Sequence, residues 1–129
     1  MSRGAAFGDL DNDGDTDIVV ANDNGPVRVL VNNVGSRSTW IGLRVVTARR
    51  DALGARVAIT TRDGRTLWRR ARADGSYASA NDPRVLVGLG ANPSQPLKVQ
   101  VTWPGGRVET WSGLPVGRYT TLEEGTGSP

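Results

Sequence analysis

The stretch Asp9-Leu10-Asp11-Asn12-Asp13-Gly14-Asp15-Thr16-Asp17 sets five carboxylates at every second position. Two unit negative charges about 4 Å apart repel by roughly 1 kcal/mol in water and about 4 kcal/mol near a protein surface. A compact turn holding all five therefore calls for a cation. The order D-x-D-x-D-G-x-x-D suits a hard ion that prefers oxygen, with a glycine allowing the sharp turn and a main-chain carbonyl joining the side chains. Asp9, Asp11 and Asp13 take the side-chain positions, Asp15 supplies the carbonyl, Gly14 turns the chain and Asp17 closes the site. Calcium is the expected cofactor. With about five protein oxygens plus water, such a site is a structural staple.

The elements around the loop decide what kind of staple it is. A helix–loop–helix sensor needs a glutamate at the last loop position and helices on both sides. Val20 stands there instead, inside the β-branched run Ile18-Val19-Val20-Ala21, which is strand chemistry. Asn22-Asp23-Asn24-Gly25-Pro26 is dense in turn residues, and Val27, Val29 and Val31 then alternate, completing a hairpin. Phe7-Gly8, the Asp pattern and the strand straight after it resemble an FG-GAP repeat, the calcium-loop blade of integrin-type β-propellers. A propeller needs about four to eight blades. Residues 1–38 are therefore expected to be the end of a blade, with a short linker at Val34-Gly35-Ser36-Arg37-Ser38.

Composition removes much chemistry. The 129 residues contain no Cys and no His, so there is no Ser-His-Asp triad, no Cys nucleophile, no Cys or His zinc site and no disulfide framework. No window approaches the ~18 apolar residues of a membrane span, and no apolar segment of a signal peptide follows Met1-Ser2-Arg3-Gly4. The net charge of +3 hides a segregation: five of the 13 acids sit in the loop, leaving 8 against 16 bases elsewhere. Fifteen of the bases are Arg and one is Lys98. They are scattered, with little of the aromatic interleaving that stacks bases, so nucleic acid is not an expected partner.

From Thr39 the chain reads as seven short strands without a helical period. Trp40–Val46, Arg56–Thr61, Thr66–Ala73, Val85–Val87, Lys98–Trp103, Arg107–Trp111 and Tyr119–Leu122 alternate as half-buried strands do, with Asp63-Gly64 and Pro104-Gly105-Gly106 as turns. The expected fold class is all-β, a calcium-loop hairpin from a propeller blade followed by a seven-strand β-sandwich or small barrel. The tail 125–129 is expected to be disordered. Leu53-Gly54-Ala55-Arg56-Val57, the stretch Gly75 to Arg84, Val87-Gly88-Leu89-Gly90, Val101 to Arg107 and Trp111 resemble the ASPIC/UnbV domain over roughly 39–124. Members usually follow FG-GAP repeats, as in the cartilage acidic proteins. The resemblance implies an extracellular or periplasmic setting and brings no catalytic residues with it.

Two further features could bind a ligand. Gly75 to Arg84 could be a ligand loop, with Tyr77 as a sugar platform beside Asn81 and Asp82; read structurally, it is a long connection whose side chains satisfy its own backbone, the favoured reading. Trp103 and Trp111 read as core, Trp40 as cover for a sheet edge, and Trp68, sharing its face with Arg70 and Arg72, as the exposed aromatic. A glycosidase would need two carboxylates about 5 to 10 Å apart in a cleft, and no pair outside the loop stands out. The expectation is a non-enzymatic calcium-binding structural or adhesion module, monomeric as this chain, from a larger secreted or cell-surface protein that meets a protein or glycan surface without inserting into membrane. The alternative is a carbohydrate-binding β-sandwich using Trp68, Tyr77, Asn81 and Asp82.

Overall fold

The structure, a computed structural model, describes residues 1–90 and 98–129 and is built almost entirely of strands. The first unit is a three-stranded antiparallel sheet of β1 (Ser2–Gly8), β2 (Asp17–Asn22) and β3 (Arg28–Leu30), in that order. The β2–β3 hairpin follows from the β-branched run and its turn. β1 went unread beyond Phe7-Gly8, because Arg3-Gly4-Ala5-Ala6 has neither branching nor alternation. It pairs with β2 down to Gly8 opposite Asp17, so the acidic segment is the connection that closes this hairpin.

Among the described residues of the first 38, only Asp9, Asp15 and Asp17 are buried. The apolar side chains Phe7, Leu10, Val27, Val29, Leu30 and Val31 are exposed. Ile18, Val19 and Val20 are only half-buried, and a sheet whose fully buried side chains are all carboxylates cannot be held by the hydrophobic effect alone.

A 3₁₀ turn over Gly35–Arg37 leads into the second unit. Its strands are β4 (Thr39–Thr47), β5 (Arg50–Asp51), β6 (Arg56–Thr60), β7 (Thr66–Arg70), β8 (Val85–Gly90), β9 (Lys98–Thr102), β10 (Val108–Trp111) and β11 (Tyr119–Glu123). One sheet runs β10-β9-β6-β7. In the other, β4 is central, with β11 parallel along one edge and β8 and β5 antiparallel along the opposite edge. There is no closed barrel. The strand beyond the expected seven is β5, reached through Ala48 and Arg49 at φ 45 and 66. Neither residue type signals a left-handed turn.

The alternating patterns become the core. Ile41, Leu43 and Val45 of β4 face Val57 and Ile59 of β6 and Val99 and Val101 of β9 in one cluster with Trp103 and Leu122. Trp111 meets Trp103 edge-on, with ring centroids 6.3 Å apart at 76°. The expected disorder of residues 125–129 is corrected. Thr110 N–H donates to the Ser128 carbonyl at 2.7 Å and Ser128 N–H returns to Thr110 at 3.0 Å. The buried Glu109 carboxylate holds this turn by accepting Trp103 Nε1–H at 2.7 Å and Gly125 N–H at 2.9 Å. No helix among the described residues is long and apolar enough to cross a membrane.

Candidate metal centre

The acidic loop is wound up by its own carboxylates. Asp9 Oδ1 accepts Asp13 N–H at 3.1 Å and Oδ2 accepts Gly14 N–H at 3.0 Å. Asp13 Oδ1 accepts Asp15 N–H at 3.1 Å. Asp17 Oδ2 accepts Leu10 N–H and its Oδ1 accepts Asn32 N–H, both at 2.8 Å, which ties the loop to the end of the hairpin. These bonds orient the carboxylates while leaving lone pairs for a cation, since an ionised carboxylate offers about four acceptor sites.

Asp9, Asp11 and Asp17 come together, each offering an oxygen within 4.8 Å of the others. Asp9 and Asp17 are buried and Asp11 is exposed. Desolvation and the charges of Asp13 and Asp17 push the Asp11 carboxyl above its ordinary value, as expected when like charges are drawn together. Asp13 lies outside this trio. The Asp15 side chain turns to the linker, where its Oδ2 accepts Gly35 N–H at 3.0 Å, and its carbonyl is the group the spacing assigns to a cation. The donor set is hard oxygen throughout, which fits calcium.

Residues that sequence reasoning did not connect to the loop complete its surroundings. Tyr119 donates its hydroxyl to Asp9 Oδ2 at 2.9 Å. Burial and that hydrogen bond push the Tyr119 phenol well up, so it stays a donor. Arg84 donates to the Asp9 carbonyl and to Asn12 Oδ1, both at 2.6 Å, while its Nε–H bonds Asp82 Oδ2 at 2.7 Å. Its guanidinium carbon lies 3.9 Å from the centre of the Tyr119 ring. Trp40 stacks obliquely on Tyr119, with centroids 5.3 Å apart. Gly14, at φ 97, lies so close beneath the indole of Trp40 that a Cβ there would collide with it. Trp40 is thus no edge cover. It sits on the outer face of the central strand β4, beneath the acidic loop. Gly42, two residues on, leaves the room that the Tyr119 ring fills.

The stretch from Gly75 to Arg84 also meets the first unit. Phe7 N–H donates to Asn81 Oδ1 and Asp82 N–H donates to the Phe7 carbonyl, each at 2.9 Å. Burial raises the Asp82 carboxyl, but the hydrogen bonds and charge of Arg84 outweigh it and hold the group below its ordinary value. Asn81 and Asp82 thus clasp β1. They border a cleft of about 220 Å³ that is lined by neither Trp68 nor Tyr77. Tyr77 is 83 % exposed and Trp68 56 % exposed. The four residues expected to share a ligand site therefore do not form one pocket.

A family model described as ASPIC and UnbV matches residues 45–129. The chain belongs to the ASPIC and UnbV family. An FG-GAP repeat model matches residues 3–37 ahead of it, the order the motifs implied. The ASPIC/UnbV match runs through the tail that pairs back on Thr110. The FG-GAP match takes in β1 as well as the acidic loop. FG-GAP repeats are generally associated with calcium, and both domain types are typical of extracellular or cell-surface proteins. No curated protein matches the chain.

Proposed function

We propose that this chain is a non-enzymatic calcium-stapled module in which an FG-GAP blade end is locked onto an ASPIC/UnbV sandwich, serving structure or adhesion in a larger secreted or cell-surface protein. The observation that carries the reading is the convergence of Asp9, Asp11 and Asp17, two of them buried, in a unit that fully buries no aliphatic side chain among its described residues. Calcium would be held by these three carboxylates with the Asp15 carbonyl. Its contribution is charge neutralisation. The chain's own residues do the rest: Asp9 and Asp17 fold the loop through their N–H bonds, and Tyr119 and Arg84 fix it against the second sheet.

The test is isothermal titration of calcium into the wild-type chain and into Asp11→Ala, alongside thermal melts with and without EDTA. Asp11 is exposed, so its loss spares the fold. Binding should be strongly weakened in the variant. Calcium at a hundred times its Kd should add about 2.7 kcal/mol of stability to the wild type. Equal heats in both proteins, or melts indifferent to EDTA, would remove the metal from the function.

A further inference from the structure

We propose that the outer face of the β10-β9-β6-β7 sheet binds an acidic polysaccharide, with the Trp68 indole stacking on a sugar ring and Arg56, Arg70 and Lys98 pairing with its carboxylate or sulfate groups. The register defines this face. Val57 and Ile59 of β6 point into the core, so their neighbours Arg56, Ala58 and Thr60 point outward. Arg56 stands opposite Arg70, Ala58 opposite Trp68 and Thr60 opposite Thr66 on β7. On the other side of β6 the same rows continue to Thr102, Gln100 and Lys98 of β9. None of these outward positions is acidic, although Asp74 pairs with Arg70 from the end of the strand at 3.1 Å.

Two features of this face are unfavourable for a merely solvated surface. Like charges placed directly opposite across an antiparallel pair are destabilising, and Arg56 faces Arg70 with no ion-pair partner of its own among the described residues. Beside that pair Trp68 leaves more than half its surface in water. Its cross-strand neighbour is only Ala58, so the indole has no large side chain beside it on β6. At β7, the edge strand of its sheet, Arg69 and Arg72 also line the cleft next to the acidic loop, together with Asp9 and the Asp82–Arg84 pair.

The shape favours one class of partner. A sheet face with one exposed aromatic suits an extended glycan chain crossing the strands. Nucleic acid binding would call for a groove and successive aromatic platforms. A neutral glycan would leave the opposed arginines uncompensated. None of the carboxylates of the metal centre lies on this sheet face, although Arg70 also lines the cleft that Asp9 borders.

The experiment is surface binding of the full chain, in EDTA, to heparin (sulfated), polygalacturonate (carboxylated), neutral dextran and a single-stranded oligonucleotide. Either acidic polysaccharide should bind, with affinity falling as salt rises, and which of the two binds identifies the anionic group. Trp68→Ala should weaken that binding by roughly five- to tenfold, the size of one ring contact. Arg56→Gln should weaken it and flatten its salt dependence. Both side chains are exposed, so circular dichroism should match wild type, with the melting temperature unchanged in Trp68→Ala and equal or slightly higher in Arg56→Gln, which relieves the opposed charges. Dextran binding as well, tighter binding of the oligonucleotide, wild-type affinity in Trp68→Ala, or no binding at low salt would each overturn the proposal. Because the assay runs in EDTA, its failure leaves the calcium reading untouched, and loss of the calcium reading leaves this one standing.

Discussion

Arg84 should be the most sensitive residue of the joint between the two units. Its guanidinium makes three hydrogen bonds of 2.6–2.7 Å, to the Asp9 carbonyl, Asn12 and Asp82, and covers the Tyr119 ring. Hydrogen bonds to charged groups contribute about 1.5–3 kcal/mol each, and a partly desolvated cation–π contact about 1 kcal/mol. They act as a unit and cannot be summed. The Arg84 and Asp82 side chains also keep 23 % and 20 % of their surface exposed, which screens the pair. The expected cost of Arg84→Ala is therefore about 2–4 kcal/mol, in the lower part of what breaking a buried pair costs. The form of the loss is more specific than its size. Since residues 1–38 enclose no aliphatic core, freeing the joint should let the three-stranded sheet melt first, splitting one urea transition into two and exposing the amides of β2 to early hydrogen exchange. Arg84→Lys keeps the charge but not the fork, and should recover less than half the loss. A single transition within about 0.5 kcal/mol of wild type would refute the claim that this side chain joins the units.

Gly14→Ala should cost about 2–4 kcal/mol, because alanine would have to hold a left-handed backbone while its methyl displaced the Trp40 indole; urea denaturation of the variant, with quenching of Trp40 fluorescence as the indole is displaced, checks it. Glu109→Ala should cost about 2–3 kcal/mol by leaving the buried Trp103 Nε1–H and the Gly125 N–H without an acceptor. The same variant should free the tail, read as loss of exchange protection at Ser128 and Thr110.

How much was legible follows from where each signal lives. The all-β class, the β4, β6 and β9 strands and their inward residues were written as period-two alternation, which needs only neighbours in the chain. The acidic loop was legible because one segment carries both its carboxylates and its turn. The joint was not. Tyr119 lies 110 residues from Asp9 and Arg84 lies 75 from it, and nothing local marks an arginine or tyrosine as a partner for a distant loop. Asn81 and Asp82 stand out in the sequence by an unusual density of local hydrogen-bonding groups. Their partners lie both within and beside their own loop, where Asp82 Oδ1 accepts Arg84 N–H and Asn81 donates to the Asp74 carbonyl, and in β1. β5 stayed hidden because Ala48 and Arg49 turn the chain without glycine or asparagine.

The placement of the acidic loop also answers how so thin a sheet is held in a definite orientation. An FG-GAP blade normally packs on other blades, but in this chain the acidic end of the hairpin meets the outer face of β4 through polar groups and two aromatic rings. Non-directional apolar packing would leave such a contact free to slide. Here each bond has a fixed length and direction: Tyr119 to Asp9, Arg84 to the Asp9 carbonyl, Gly35 to Asp15 and Asp82 to Phe7. Three of the four end on the acidic loop or on the residues that close it. A cation that stiffens Asp9, Asp11 and Asp17 therefore stiffens the angle between blade and sandwich as well, since the same carboxylate of Asp9 serves both. The consequence is reciprocal. Loosening the joint should weaken calcium, and removing calcium should loosen the joint, by the same free energy in each direction.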